Sequence, residues 1–138
     1  MVRKTRATKA SEVKRSWHLL DAKGRILGRL ASEAAQLLMG KGKPSYAPYL
    51  DMGDYVVIIN AGEVATTGKK ERQKVYTRYS GYPSGLRKER LEELRKRLPG
   101  EVIRRAVKGM LPRGKLGRKM IAKLYVYPGA NHPHGDKF

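Results

Sequence analysis

Apolar positions along this chain recur at two different spacings, and each predicts its own kind of element. Leu27, Leu30, Ala31, Ala34, Ala35 and Leu38 keep a helical period up to Met39 and stop at Gly40, which predicts an amphipathic helix closed by a glycine. Residues 54–60, DYVVIIN, are apolar and β-branched without alternation, the pattern of a strand covered on both faces. Upstream of the helix, WHLLD at residues 17–21 is a short apolar run closed by Ala22, Lys23 and Gly24, and it predicts a first strand. Strand, helix and doubly buried strand in succession predict a parallel βαβ unit with a right-handed crossover and helices on both sides of the sheet. Gly28, at the start of the helix, is read as a close approach of strand and helix backbones in preference to a point where a ligand comes near.

Residues 64–67 and 74–79 predict further short extended pieces flanking a turn at Gly68. Leu91, Leu94 and Leu98 mark a charged surface helix stopped by Pro99, and Val102, Ile103, Ala106, Val107, Met110 and Leu111 mark a second one stopped by Pro112. Leu116, Met120 and Ile121 suggest a third, short helix, and residues 124–127 a last strand. The tail from Pro128 has neither period nor apolar content and is expected to be irregular. Residues 1–16 lack a core face and are expected to form a disordered basic arm, leaving residues 17–138 as a single domain.

With 138 residues and 40% apolar content, the chain has the length and the means to bury one core. The formal net charge of +19 changes the picture, because self-repulsion of that size strains a compact state unless something acidic is bound. Cations concentrate in three places: six against one acid in residues 1–16, eight against two in residues 68–90, and eight against none in residues 102–135. Charge dispersed over several Gly- and Pro-containing segments fits a large polyanion touched from many sides better than a membrane surface, which favours one amphipathic helix. No cysteine is present, which excludes disulfides, thiol chemistry and Cys-based zinc sites. The longest strongly apolar run, residues 56–59, is too short to span a bilayer, and residues 1–16 show no secretory apolar core.

The densest candidate is residues 68–88, GKKERQKVYTRYSGYPSGLRK, where seven cations stand against Glu71 alone and are interleaved with Tyr76, Tyr79 and Tyr82 and with Gly68, Gly81, Pro83 and Gly85. Cations suit phosphates, flat rings suit bases or sugars, and bare backbone allows close approach, so this stretch reads as an exposed recognition loop for nucleic acid. Competing chemistry is weak. Residues 109–116, GMLPRGKL, keep the glycine spacing of a phosphate loop but put Leu116 where a magnesium-binding Ser or Thr belongs, after a helical pattern instead of a strand. His132 and His134 lack a good third donor, which favours a structural or RNA-contact role over a metal site. His18 reads as hydrogen-bonded and partly buried, Glu92, Glu93 and Glu101 as ion-pair partners of nearby arginines, and Asp51 and Asp54 as turn caps around Gly53.

Taken in order, Asp21-Ala22, Gly28-Arg29-Leu30-Ala31, Gly53-Asp54-Tyr55-Val56-Val57, Asn60-Ala61, Thr67-Gly68-Lys69-Lys70, Ser80-Gly81-Tyr82-Pro83, Ala106-Val107-Lys108-Gly109-Met110-Leu111-Pro112, Leu116-Gly117-Arg118 and His132-Pro133-His134 form a specific series. In this series the chain closely resembles the bacterial large-subunit ribosomal protein family L-thirteen, over residues 17–134. The resemblance implies an α/β fold, a three-layer α/β/α domain with a four-stranded parallel sheet. It also implies a structural, early-binding assembly protein on large-subunit ribosomal RNA, cytoplasmic, with neighbouring ribosomal proteins as partners. No catalytic activity, cofactor, metal, small-molecule substrate, membrane or homo-oligomer is expected. RNA contact is expected from Lys41 and Lys43 in a first loop, and from Lys69, Lys70, Arg78, Tyr79, Tyr82, Arg87 and Lys88 in the recognition stretch. A third group comprises Lys108, Arg113, Lys115, Arg118 and Lys119. Two departures from the family pattern stand out. Ser84 replaces the first of two glycines usual after the Tyr-Pro, which is expected to alter the loop path, and residues after His134 are few.

Overall fold

Strand β1 (Trp17–Asp21), helix α1 (Leu27–Met39) and strand β2 (Tyr55–Ile59) form the expected crossover, with β1 and β2 parallel and Trp17 opposite Tyr55. The computed structural model describes residues 5–138. Gly40 closes α1 in the left-handed conformation at φ 75°, its N–H bonded to the Gln36 and Leu37 carbonyls. Strand β5 (Leu124–Val126) adds parallel on the other edge of β2, which places Val56, Val57 and Ile58 in the middle of the sheet and fully buried. That position accounts for their unbroken apolar run.

The parallel sheet therefore has three strands, in the order β1, β2, β5, where four were expected. The extended piece at residues 64–67 makes only an isolated parallel bridge between Ile26 and Ala65. Its pairing cannot lengthen, because Ile26 is the last residue before α1 and Gly68 turns the chain away at φ 65°. The packing role expected for Gly28 is likewise not met, since a Cβ there would touch nothing within 4 Å.

Alternation along the strands gives the sheet two unlike faces. One carries Leu20, Val56, Ile58 and Leu124, packed in a single core with Leu30, Ala34 and Leu38 of α1. Helices α3 (Leu91–Arg97), α4 (Pro99–Met110) and α5 (Lys115–Ile121) add Leu91, Leu94, Val102, Ile103, Val107 and Met120 to that core. The other face carries aromatic rings: Trp17 stacks on Tyr55 at 4.5 Å and on Tyr125 at 5.8 Å. What stacks on these rings is the C-terminal tail, where a helix layer was expected. His134 lies 5.1 Å from Trp17 and 4.6 Å from Tyr125, and Phe138 meets Trp17 edge-on. Tyr127 Oη and His134 Nε2 are 2.9 Å apart, so the two histidines serve the packing of the tail. Among the described residues no group of three or more His, Asp or Glu is arranged to hold a metal, and no helix is long and apolar enough to cross a membrane.

Buried charge fastens the loop at residues 41–54 to the starts of both edge strands, β1 and β5. The Asp54 carboxylate accepts the Ser16 N–H at 2.9 Å and the Lys43 ammonium at 2.6 Å, and lies 2.9 Å from His18 Nε2. The buried Lys123 donates to Asp51 Oδ1 at 2.5 Å and to the Gly53 carbonyl at 3.0 Å. Asp51 and Asp54 are thus ion-pair partners, not the turn caps expected. The arm is held by the same loop, through Lys43 Nζ to the Lys14 carbonyl at 2.6 Å and Tyr49 Oη to the Thr8 carbonyl at 3.0 Å. The part of the arm at residues 1–4 lies outside the described residues. Burial alone would raise the Asp54 pKa, but the hydrogen bonds from Lys43, Ser16 and His18 outweigh it and hold the carboxyl below its ordinary 3.8. Desolvation lowers the Lys123 pKa against the opposing pull of Asp51.

Two outcomes follow from this clamp. A Cβ on Gly53 would lie 1.6 Å from the Leu38 carbonyl oxygen, so Gly53→Ala should cost about 3 kcal/mol, read from the urea midpoint. Asp54, with a folded pKa depressed below 3.8, contributes stability that is fully present above the unfolded value and lost as pH falls through the folded one. Unfolding measured from neutral pH downward should show stability falling below about pH 4, and Asp54→Asn should be less stable at neutral pH and decline less on acidification.

Candidate nucleic-acid interface

The stretch read as a recognition loop is a hairpin. Helix α2 (Lys70–Gln73) leads into strand β3 (Val75–Tyr79), which pairs antiparallel with β4 (Leu86–Arg90) and stands apart from the parallel sheet. Strand β4 escaped the sequence reading because LRKER carries one apolar residue and shows no alternation. The tip is closed by Ser80 N–H to the Gly85 carbonyl and Gly85 N–H to the Tyr82 carbonyl. Gly81 and Ser84 both take positive φ, at 89° and 60°. Ser84 thus adopts the left-handed conformation that a glycine would enter freely, at a cost of roughly 1–2 kcal/mol. Gly85 has a steric reason as well, since a Cβ there would lie 2.0 Å from Ser80 Oγ.

Residues opposite one another in this ladder share a face. Arg78 stands opposite Arg87, a like-charge pair that is unfavourable without an anion between or above it. Both line a surface groove with Tyr79, Ser80, Ser84 and Gly85. Towards the domain the same face turns structural. Tyr76 is half-buried beneath the Arg105 guanidinium, 5.0 Å from its ring centre, and Glu89 accepts from Arg97 Nη2 on both its oxygens and from Arg97 Nε on one. Burial raises the Tyr76 pKa against the lowering effect of Arg105 and Arg95, so the ring stays protonated. Tyr79 and Tyr82 are 65% and 75% exposed, which leaves both rings free to stack on a partner.

The third group surrounds a second groove, lined by Lys108 of α4, Arg113 and Arg118. Lys115 and Lys119 are exposed on the same short helix α5. Gly117 allows the turn before it, because a Cβ there would lie 1.8 Å from the Pro112 carbonyl oxygen. The phosphate-loop spacing at residues 109–116 dissolves in the structure: Gly109 belongs to helix α4 and Gly114 precedes α5, with no strand leading into the turn.

Ion pairing separates the cations into two classes. Arg6, Arg15, Lys23, Arg25, Lys43, Arg95, Lys96, Arg97, Arg105 and Lys123 each meet a carboxylate. Among the described residues, Lys41, Lys69, Lys70, Arg78, Arg87, Lys88, Lys108, Arg113, Lys115, Arg118 and Lys119 meet none, and all are exposed. Of the fourteen expected contacts, Lys43 is the one whose charge is already engaged, by Asp54 and by the Lys14 and Met52 carbonyls. The structure adds Lys74, Arg105, Thr66 and Thr67, which line a cleft with Lys70 and Gly109 and so bring the start of the hairpin stretch up to the end of α4. Arg105 was legible in part, three residues before Lys108 on one helix.

A family model described as ribosomal protein L13 matches residues 15–133, from the clamp at Arg15 through the sheet to the tail at Pro133. The chain belongs to the ribosomal protein L13 family. Among its relatives, proteins named large ribosomal subunit protein uL13 from Bordetella petrii and Dictyoglomus thermophilum are each 54% identical over 131 residues, covering 95% of this chain and 92% of theirs. The protein of that name from Salinispora arenicola is 55% identical over 132 residues, covering 96% of this chain and 90% of its own. As an L13-family member the chain is a ribosomal protein, a structural component of a ribonucleoprotein and not an enzyme.

Proposed function

We propose that this L13-family chain is a structural constituent of the large ribosomal subunit, binding large-subunit ribosomal RNA through the hairpin and the basic surface of α4 and α5. The observation that carries the reading is the placement of the unpaired cations: the buried or half-buried Lys43 and Lys123 meet carboxylates, whereas those on the hairpin, on α5 and at the end of α4 meet none among the described residues. Phosphates supply the missing charge, Tyr79 and Tyr82 pack on sugars or bases, and the Gly81 and Gly85 backbone enters where side chains do not fit. The family resemblance supports early joining of the assembling subunit in the bacterial cytoplasm, as one copy beside neighbouring ribosomal proteins. An architectural DNA-binding role is the competing reading, and the relatives' names favour the ribosome.

Co-sedimentation with the large subunit after a high-salt wash tests the assignment, and tighter binding to large-subunit RNA than to duplex DNA at equal physiological salt tests the choice of partner. Lys69→Ala, Lys70→Ala and Arg78→Ala combined should weaken RNA binding and reduce the log-log salt slope by about 2. Wild-type affinity and slope in that folded variant would remove the hairpin from the interface. Tyr82→Ala should cost about 1–3 kcal/mol of binding with the slope nearly unchanged, because it removes a stacking ring and no charge.

A further inference from the structure

The cleft between the first turn of α1, residues 66–74 and the end of α4 has a volume of about 320 Å³ and a divided lining. Its polar part carries Lys70, Lys74, Arg105 and Thr67, and no carboxylate is among the lining residues. Glu101 holds Arg105 Nε at 3.1 Å from outside the cleft, and Glu71 lies 3.3 Å from the Thr66 hydroxyl. Among the described residues Lys70 and Lys74 meet no carboxylate: Lys70 Nζ reaches Thr67 Oγ1 at 3.3 Å, and Lys74 Nζ lies 5.3 Å from the Tyr76 ring centre. The rest is apolar, with Leu27 and Ala106 beneath and Met110 41% exposed at the rim.

Gly28 and Gly109 both line this cleft. Neither has a positive φ, and a Cβ on either would meet nothing within 4 Å. Glycine weakens a helix relative to alanine, yet here neither backbone conformation nor internal packing calls for it. What the two positions share is the space in front of them, which any side chain would occupy. A cleft of this volume with an apolar floor, a polarisable methionine and two unmatched ammonium groups suits a flat ring joined to a phosphate.

We propose that the cleft takes one unstacked nucleotide of the bound RNA, its base against Met110 and Ala106 and its phosphate between Lys70 and Lys74. The proposal rests on the RNA-binding reading above and adds to it a single-nucleotide pocket joining the two basic surfaces. Proteins read RNA mainly where bases are splayed out of helices, and a lone pocket beside a phosphate-tracking surface is one means of holding such a base.

Gly28→Leu and Gly109→Leu fill the cleft without removing charge, at positions with room for a Cβ. Each variant, confirmed as folded by circular dichroism, should bind large-subunit RNA at least about tenfold more weakly, with the log-log salt slope reduced by no more than about 0.7 for the one phosphate displaced. In the wild-type complex, Met110 should be oxidised by peroxide more slowly than in the free protein, read by mass spectrometry. Wild-type affinity in both folded variants overturns the pocket and leaves the hairpin reading standing, since Lys69→Ala combined with Arg78→Ala, neither residue lining the cleft, tests that separately. Should the leucine variants fail to fold, undiminished oxidation of Met110 in the wild-type complex overturns it. Should AMP bind the RNA-free protein and protect Met110 where RNA does not, the occupant is a free nucleotide and the proposal fails.

Discussion

Thirty-one cations share this chain with twelve carboxylates, and the placement of the twelve governs everything else. Asp51 and Asp54 lie inside the protein, where a lysine would otherwise bury an uncompensated charge. Glu71, Glu89 and Glu101 lie at the base of the hairpin and along α4, where they hold Arg95, Arg97 and Arg105 against the domain. None stands opposite Arg78 or Arg87, and none occurs in residues 102–135. The buried lysines are thus neutralised, while the hairpin beyond its base and the surface of α5 are left positive. A surface ion pair contributes little by itself, but the absence of such pairs over a whole surface sets the field that a polyanion meets.

That outward charge needs a rigid support, and the sheet supplies it through two different kinds of contact. On the aliphatic face Val56 and Ile58 belong to one buried core with residues of α1 and α4. On the aromatic face Trp17, Tyr55 and Tyr125 stack and are covered by a tail that brings two histidines and a phenylalanine. A tail can do the work of a layer here because rings bury much area each and because Tyr127 and His134 satisfy one another's polar atoms. The loop at residues 41–54 then ties arm, helix end and sheet together through buried ions, and Gly53 is small because Leu38 and Lys123 leave no space beside it.

The βαβ crossover, α1 with its glycine cap, the double burial of β2 and the helices ended by Pro99 and Pro112 were legible in sequence, because each rests on a local period or a local breaker. The third layer was not. Its rings belong to residues whose spacing follows no aliphatic pattern, and their partner lies more than a hundred positions away, as Trp17 and His134 show. Strand β4 was hidden for the opposite reason, since a hairpin that buries almost nothing has no apolar alternation to display. Lys43 illustrates the limit for the candidate site: beside Lys41 it looks like another surface cation, and only the fold reveals that Asp54 lies beneath it. The exposed cations of the hairpin and of α5 were legible because exposure is what a charged, glycine-rich sequence predicts.

A two-stranded ribbon is marginal by itself, so the hairpin must draw its order from its ends. At the base it does: Leu91 donates its N–H to the Lys74 carbonyl, Tyr76 lies under Arg105, and Arg97 grips Glu89. Beyond Arg78 and Arg87 no such contact with the domain occurs among the described residues, and two like charges stand opposite one another in the ladder. Fewer contacts with the domain hold the tip than the base, which is the condition under which a segment opens locally. An anion seated between the two arginines reverses the sign of that interaction, from repulsion within the ribbon to attraction through the ligand. On the proposed reading, a phosphate held there would order the tip as it binds, next to the turn in which Ser84 takes its positive φ.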